Sequence, residues 1–301
     1  MILVLIEKSN NVKIIYKNEE KFPKLLRNIK NPPEKIYAIG NIELLNKPSI
    51  AIVGSRCYSE YGERMAKRFT TDLVNEGLAI ISGLAIGIDS FAHEECINSG
   101  GKTVAVLGCG FKHIYPEENE NLYKKIINSG GCVITEYSED VEARKEFFPI
   151  RNRLISGLAL GTLVIEAHYR SGSTITARYC IEQKRKLFCI PSSIDNKNSA
   201  GTNNLIKKGA NLVTNVQDIL YTLGTIQNKI TKEKAKHENK LLSEKELKIY
   251  NLLKKKPKTA DEIVINTKLL ISEVNVLLSG LELEGFIIKL DNNRYKVNDN
   301  E

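Results

Sequence analysis

Short apolar segments recur at regular intervals from residue 50 onward, and they constrain the fold more than any other feature of the sequence. They are continuously apolar instead of alternating with polar residues, which is the pattern of strands covered on both faces. Amphipathic stretches such as 61–75 and 173–183 separate them. Strands and helices in this alternation predict an α/β domain with a doubly wound parallel sheet. The predicted strands are 50–54, 78–82, 103–107, 132–135, 162–166, 187–191 and 211–213.

The chain on either side of this pattern has a different character. Residues 1–49 are interrupted by Pro23, Pro32 and Pro33, and we interpret them as a short, irregular N-terminal extension. Residues 227–240 are polar and rich in lysine, which is typical of a linker or of an exposed helix. We therefore expect a Rossmann-like domain at 50–224, a linker at 225–240 and a second domain at 241–301.

The C-terminal segment predicts a small winged-helix domain. Three helical patterns, at 243–255, 259–266 and 271–284, precede two strands around the turn Asp291-Asn292-Asn293. The stretch 268–285 carries one lysine and three glutamates, whereas a helix that lies along DNA is normally basic. The composition therefore favours a protein contact or support of a dimer over reading of duplex DNA, which a transcriptional regulator would need.

Charge and cysteine usage narrow the class of protein. The formal net charge is +8, and residues 151–190 hold seven basic but only two acidic side chains, as a polyanion-binding surface would. The six cysteines are scattered singly without C-x-x-C, which argues against a zinc site or a disulfide framework and fits a reducing compartment. Residues 1–6 are apolar but too few for a signal peptide, and no run approaches the roughly 20 residues of a membrane span. We expect a cytoplasmic protein with no membrane partner.

Glycine- and serine-rich loops follow four of the predicted strands. In a parallel sheet ligands bind beyond the carboxyl ends of the strands, where glycine lets backbone N–H groups approach an anion and helix N-termini favour negative charge. Tight turns are the alternative explanation for any one loop. Neither G-x-G-x-x-G nor G-x-x-x-x-G-K-[ST] occurs, so we expect no dinucleotide or other cofactor. The loops are Gly54-Ser55-Arg56, Ser82-Gly83-Leu84-Ala85, Gly108-Cys109-Gly110 and Ser171-Gly172-Ser173-Thr174.

The segment Phe147-Phe148-Pro149-Ile150-Arg151-Asn152-Arg153 has the greatest density of groups that suit nucleic acid. Arginines can contact successive phosphates, and an aromatic ring can stack on an unpaired base. The alternative is that the phenylalanines belong to the core and the arginines pair with Glu146 or Glu166.

Groups for catalysis are sparse. The histidines His93, His113 and His168 are isolated, and none has the spacing of a metal ligand, so we predict neither a catalytic nor a metal site. Packing on its helix explains His93. Glu166 ends a buried strand, where it could act as a base toward a sugar or anchor a loop N–H group. We expect a DNA-handling protein and no enzyme. The alternative is a phosphoribohydrolase-like enzyme that uses Glu166 with Asp89 or Glu136.

A series of motifs runs in unbroken order over about residues 20–220. The motifs are Phe22-Pro23-Lys24-Leu25-Leu26, Gly40-Asn41, 51–56, 82–89 with Ala92-His93, Tyr115-Pro116 with Asn119, 148–153, Glu166-Ala167, 171–177, Gly201-Thr202-Asn203 and Lys208-Gly209-Ala210. Together they resemble the DNA-processing protein A (DprA/Smf) family. The resemblance implies an extended Rossmann fold that binds and protects single-stranded DNA, forms homodimers and loads a RecA-type recombinase during natural transformation and recombination.

The resemblance also implies residue roles. Carried over to this sequence, Arg56, Phe148, Arg151 and Arg153 contact phosphates and bases, and residues 171–174 line the same cleft. Together with the loop analysis this predicts a DNA-binding site made of Gly54, Ser55, Arg56, Gly83, Phe148, Arg151, Asn152, Arg153, Ser171, Gly172, Ser173 and Thr174.

Three departures from the family pattern carry expectations of their own. Ile86 stands where the family usually has arginine, which removes a cation near the cleft and predicts reduced affinity. Ser192 follows Pro191 where glycine is usual, which predicts an altered loop. About 20 residues precede Phe22, and we expect them to be too few for the helical N-terminal module of many relatives.

Overall fold

A computed structural model describes residues 12–169, 171–224, 242–283, 286–290 and 293–298. The chain divides into two compact units, Met1–Gln227 and Asn228–Glu301, and each is treated by itself. The predicted linker 225–240 and the first two residues of the predicted hairpin turn, 291 and 292, lie outside the described residues.

The first unit contains a nine-stranded sheet in the order β1-β2-β6-β5-β4-β3-β7-β8-β9. Strands β3 to β9 all run parallel, and β3 lies between the two halves that wind in opposite directions. The carboxyl ends of β3 and β7 therefore flank a topological switch point. The strands are β1 (Lys13–Tyr16), β2 (Lys35–Gly40), β3 (Ser49–Val53), β4 (Ala79–Ser82), β5 (Thr103–Val106), β6 (Cys132–Thr135), β7 (Gly161–Val164), β8 (Lys186–Cys189) and β9 (Asn211–Leu212).

Helices cover both faces of this sheet. Ile50 and Ile52 of β3 pack on one face, whereas Ala51 and Val53 of the same strand pack on the other. The doubly wound α/β fold is thus confirmed, and continuous apolar strands are its cause because each side of every central strand is buried. The helices of this unit are α1 (Lys24–Arg27), α2 (Glu60–Asn75), α3 (Ile88–Asn98), α4 (Glu120–Asn128), α5 (Phe147–Leu158), α6 (Gly172–Glu182), α7 (Ala200–Lys207) and α8 (Val216–Thr222).

The expectation of an irregular extension at 1–49 is wrong for the described residues 12–49. Strand β2 pairs antiparallel with β6, in register from Tyr37 opposite Thr135 to Gly40 opposite Cys132, and β1 pairs with β2. The fully buried Phe22 and Leu26 join the core under α5. This segment is therefore part of the sheet and of the core, and the prolines only interrupt the turns between its elements.

The second unit is a small helical domain with a three-stranded antiparallel sheet in the order β10-β12-β11. Capping boxes start α9 at Ser243 and α10 at Thr259, as their sequences predict. The three helices and the hairpin are those predicted for a winged helix. The elements are α9 (Glu244–Lys255), β10 (Lys258–Thr259), α10 (Ala260–Thr267), α11 (Ile271–Leu283), β11 (Ile287–Lys289) and β12 (Arg294–Val297).

No single helix in the described parts of the chain is long and apolar enough to cross a membrane. Only α10 and Ile271–Glu282 taken together reach that length and composition among the described helices, and they are bent by 115°. Buried side chains of these helices, among them Ile263, Val274 and Leu278, form the core of the second unit.

His93 on α3 is packed inside the first unit, as the sequence indicates. Its Nδ1 lies 2.7 Å from the hydroxyl of Thr103, which donates its own hydrogen to the carbonyl of Ile80. The hydroxyl can then only accept from His93, so Nδ1 carries the proton of the neutral ring. Burial, and secondarily the charge of Arg151, lowers the pKa of His93 from 6.5 to about 3.

We expect acid to destabilise the first unit through His93. Below pH 6.5 the histidine of the unfolded chain takes up a proton, whereas in the folded protein it stays neutral until about pH 3, so stability is lost as the pH falls through this window. From about pH 7 to about pH 5 the free energy of unfolding should drop by roughly 2 kcal/mol through this group. Urea denaturation of the wild type and His93→Gln measures it, and equal losses in both would contradict the assignment.

Candidate nucleic-acid interface

A pocket of about 540 Å³ opens at the carboxyl ends of the parallel strands, at the switch point between β3 and β7. A smaller cavity of about 40 Å³ adjoins it and is lined by Gly83 together with Arg56, Phe148 and Arg151. Arg153 and Thr174 line neither. The predicted residues that line the large pocket are Gly54, Ser55, Arg56, Phe148, Arg151, Asn152, Ser171, Gly172 and Ser173.

The loop after β3 places an exposed arginine at this pocket. Gly54 packs so closely on Ile88 that an added Cβ would lie 2.5 Å from its side chain, and the carbonyl of Ser55 accepts the N–H of Ile88. The Ser55 hydroxyl donates to the carbonyl of Cys57 at 2.8 Å. The turn is thus fixed against the start of α3, while Arg56 stays exposed and its guanidinium carbon lies 5.9 Å from the centre of the Phe148 ring.

Phe148 at the start of α5 presents the aromatic surface of the site. Its ring lies 5.9 Å from the guanidinium carbon of Arg151 as well, so two cations lie beside it. Gly108 permits this position, because a Cβ there would lie 2.8 Å from the ring. Phe147 does not reach the pocket and stacks instead on Tyr137, with ring centres 4.4 Å apart. One phenylalanine of the pair is therefore available to a ligand and the other is packing.

Arg151 is buried beneath the pocket and is held by backbone acceptors. Its Nη1 donates to the carbonyl of Gly83 at 2.7 Å and to that of Val106, and its Nε donates to the amide oxygen of Asn152 at 3.2 Å. Burial lowers the pKa of Arg151 to about 10, partly countered by Asp89, so the group is still charged at neutral pH. Arg151 thus supplies a fixed positive charge, and most of its hydrogen-bonding capacity is used inside the protein.

Arg153 is a predicted site residue that does not line the pocket. Its Nη2 lies 2.5 Å from a carboxylate oxygen of Glu136, and both side chains are only 14% exposed. Residues two apart on a helix point in very different directions, so Arg151 and Arg153 cannot face the same groove. The structure thus places Arg153 outside the pocket lining, and Glu136, not Glu146 or Glu166, is its partner.

The N-terminus of α6 forms the opposite wall of the pocket. Its first N–H groups have no partner within the helix, which suits an anion, and Gly172 is exposed. The hydroxyls of Ser171 and Ser173 lie 2.8 Å apart. Thr174 instead donates to the carbonyl of Ser171 at 2.7 Å, which explains why it closes the turn rather than lining the pocket.

The carboxylates of the enzymatic alternative are all occupied by structural bonds. Glu166 is fully buried and accepts the N–H and hydroxyl of Ser59 at 2.9 and 2.5 Å, which anchors the start of α2. Gly62 leaves room for it, since an added Cβ would lie 2.2 Å from its oxygen. Asp89 accepts the N–H of Gly83 at 3.0 Å, and Glu136 binds Arg153. Glu166 therefore acts as the loop anchor considered for it, outside the pocket lining.

Two pocket residues with groups suited to DNA escaped the sequence prediction. Lys145 is exposed and lies three residues before Phe148, ahead of the start of α5, and Tyr115 comes from the loop after β5. The basic character of the run 144–153 was a usable signal for Lys145. No local pattern could indicate that Tyr115 meets α5. The departure at Ser192 leaves an ordered loop, since Asn203 bonds both its N–H and its carbonyl.

Two family models match this chain. One, described as "DNA recombination-mediator protein A", matches residues 13–224, and another, described as "DprA winged helix domain", matches residues 233–293. The chain belongs to the DprA family. The resemblance seen in its motifs and the winged helix predicted at its C-terminal end are both confirmed.

Curated relatives show the same membership. The chain is 40% identical over 213 residues to Protein Smf of Escherichia coli (strain K12), covering 71% of this chain and 57% of that protein. It is 42% identical over 199 residues to DNA processing protein DprA of Streptococcus pneumoniae, covering 66% of this chain and 70% of that relative. The chain also spans 55% of Protein Smf of Synechocystis, so it matches little more than half of each of these two Smf proteins.

Solved structures of DprA share the fold. The X-ray structure of DprA from Streptococcus pneumoniae matches with a TM-score of 0.67 and 40% identity, over 70% of this chain and 74% of that one. DprA from Helicobacter pylori matches with a TM-score of 0.64 and 30% identity, over 71% of this chain and 96% of that one. The Helicobacter pylori structure concerns the single-stranded DNA binding mode of that protein.

We expect Arg153 to stabilise the fold without contacting DNA. Arg153→Met should lower the free energy of unfolding by about 1.5–3 kcal/mol, because it leaves Glu136 poorly solvated and unpaired. The salt dependence of binding to single-stranded DNA should not change. Glu136→Gln provides the second arm of a double-mutant cycle, and the double variant should lose less than the sum of both. If the affinity of Arg153→Met for single-stranded DNA depends less steeply on salt than that of the wild type, Arg153 does contact a phosphate.

Proposed function

We propose that this DprA-family protein binds single-stranded DNA in the pocket at the carboxyl ends of its parallel strands. The observation that carries the proposal is the Phe148 ring beside two arginines, each with its guanidinium carbon 5.9 Å from the ring centre. An aromatic face beside cations suits an unpaired base together with its phosphates. The single-stranded DNA binding described for DprA from Helicobacter pylori supports the same ligand.

The pocket favours single strands over duplex DNA for a physical reason. Stacking on Phe148 needs a base that is not already stacked and paired on both sides. Phosphates can be contacted by Arg56, Lys145 and the first N–H groups of α6. Such contacts do not depend on base identity. We therefore expect binding with little sequence preference and a steep dependence on salt.

Further parts of the proposal rest on family membership. We propose that the protein protects incoming strands in the cytoplasm, acts as a homodimer and loads a RecA-type recombinase in natural transformation and recombination. We also propose that it works by binding and not by catalysis, since Glu166, Asp89 and Glu136 are engaged in structural bonds.

Reading of duplex DNA by the second unit is not favoured. The exposed face of α11, the third helix, carries no basic side chain. A recognition helix in the major groove normally needs cations toward the phosphates. The exposed residues of this face are Ile271, Ser272, Asn275, Val276, Ser279 and Glu282.

Arg56→Ala should weaken binding to single-stranded oligonucleotides of every sequence by roughly 10- to 100-fold, because it removes a charge-assisted contact. The slope of log affinity against log salt should become shallower by about 0.7. Fluorescence anisotropy over a salt series measures both. Arg178→Ala is the matched control, since Arg178 is 65% exposed, pairs with Glu182 on α6 and does not line the pocket. If Arg56→Ala binds as tightly as the wild type at all salt concentrations, the proposed site is wrong.

Recombinase loading needs a separate experiment. In strand exchange by a RecA-type recombinase on strands covered with single-strand binding protein, the wild type should speed the reaction. Arg56→Ala should do so less because it occupies less DNA, while Arg178→Ala should match the wild type. DNA binding without any effect on the recombinase would leave the DNA site intact and contradict the loading role.

A further inference from the structure

Beside Phe148 the binding pocket adjoins two exposed uncharged side chains, those of Ile86 and Tyr115. Ile86, on the turn after β4, is 41% exposed, and Tyr115, in the loop after β5, is 46% exposed. Both line the small cavity that adjoins the main pocket, together with Phe148, Arg56 and Arg151. Large apolar groups that stay exposed beside a ligand pocket are candidates for contact with the ligand. We call this surface of Ile86 and Tyr115 the outer platform.

The spacing of the two aromatic rings suits neighbouring bases. The centres of the Tyr115 and Phe148 rings lie 5.3 Å apart, and their planes are inclined by 39°. Stacked bases of one strand in B-DNA are about 3.4 Å apart, and bases of an unstacked strand lie farther from one another. A strand whose base contacts Phe148 can therefore bring the next base to Tyr115.

Hydrogen bonds fix the outer platform before any ligand arrives. The side-chain amide of Asn119 donates to the carbonyl of Leu84 and to the hydroxyl of Ser90, both at 2.9 Å. The Ser90 hydroxyl in turn donates to the carbonyl of Ala85 at 2.7 Å. These bonds connect the segment after Tyr115 with the turn that holds Ile86. The surface is preorganised, so a base that binds there orders few additional groups.

The charge around the outer platform favours a base over a phosphate. Tyr115 also lines a cavity of about 490 Å³ whose lining includes Glu117, Glu142 and Glu120, the last of which is paired with Lys124 at 2.6 Å. Lys112 in the same lining is paired with Asp140 at 2.7 Å. A phosphate would meet carboxylates there, whereas a neutral base stacked on an aromatic ring would not be repelled.

We infer that Tyr115 and Ile86 bind a second base, the one adjacent to the base on Phe148, by stacking and apolar contact. The inference rests on the proposed single-stranded DNA binding and adds to it the residues and the kind of contact at this end of the groove. Arg56 and Lys145 contact phosphates, and the outer platform contacts only bases.

The test compares two oligonucleotide probes with the same phosphates, a thymidine strand and a strand with abasic sites at internal positions. Tyr115→Ala should bind the thymidine strand roughly tenfold more weakly, since it loses one stacked base. Its salt dependence and its affinity for the abasic strand should stay those of the wild type. Tyr115→Phe keeps the ring and should restore affinity for the thymidine strand. Ile86→Arg should bind both strands more tightly, with a salt dependence steeper by about 0.7.

The outcomes separate this inference from the proposed function. If the wild type fails to bind the thymidine strand, the proposed function itself is wrong. If the wild type binds but Tyr115→Ala loses nothing, or loses the same factor for the abasic strand, the outer platform is refuted while the DNA site stands. Thermal melting of each variant identifies a loss caused by misfolding, and in that case Tyr115→Leu, which keeps an apolar side chain but no ring, replaces Tyr115→Ala in the comparison.

Discussion

The candidate site depends above all on one buried charge, the guanidinium of Arg151. A buried arginine costs several kcal/mol unless its N–H groups are matched by acceptors. Here the acceptors are the carbonyls of Gly83 and Val106, at the ends of the neighbouring strands β4 and β5. Gly83 has to be glycine in this arrangement, because an added Cβ would lie 2.8 Å from Asp89 and 3.0 Å from Arg151. The charge thus ties α5 to the sheet edge, and Phe148, one turn earlier on α5, takes its position from that connection.

The same connection shapes the electrostatics of the pocket. Arg151 is fixed and shielded from solvent, so its attraction for a phosphate is screened less by salt than that of an exposed side chain. Arg56 is exposed and can adjust to a backbone that enters from solvent. One buried and one exposed cation beside the same ring suit a polymer whose phosphates repeat at short intervals but whose bases vary.

The sequence predicts the parallel part of the sheet because burial on both faces leaves a continuous apolar signature in each strand. The sequence does not predict β1 and β2, because prolines interrupt this part of the chain. In addition, Lys13–Tyr16 lies at an edge of the sheet, where Ile14 and Tyr16 are exposed. Within the site, loops that follow strands are predictable from chain order alone. The motif suggests two equivalent arginines, whereas helical geometry gives Arg151 and Arg153 different partners. The contact of Tyr115 with Phe148 could not be predicted, because it joins a loop to the start of α5, which is distant in sequence.

The antiparallel pairing of β2 with β6 has a consequence for dissection of this protein. A fragment that starts at β3 would match the predicted Rossmann-like domain. It would, however, leave one edge of β6 without its partner strand and would lack Phe22 and Leu26, which pack against α5. Free strand edges and bare apolar helix faces promote aggregation. The smallest fragment fit for biochemical work on the DNA site must therefore retain residues 12–49, although none of them touches the pocket.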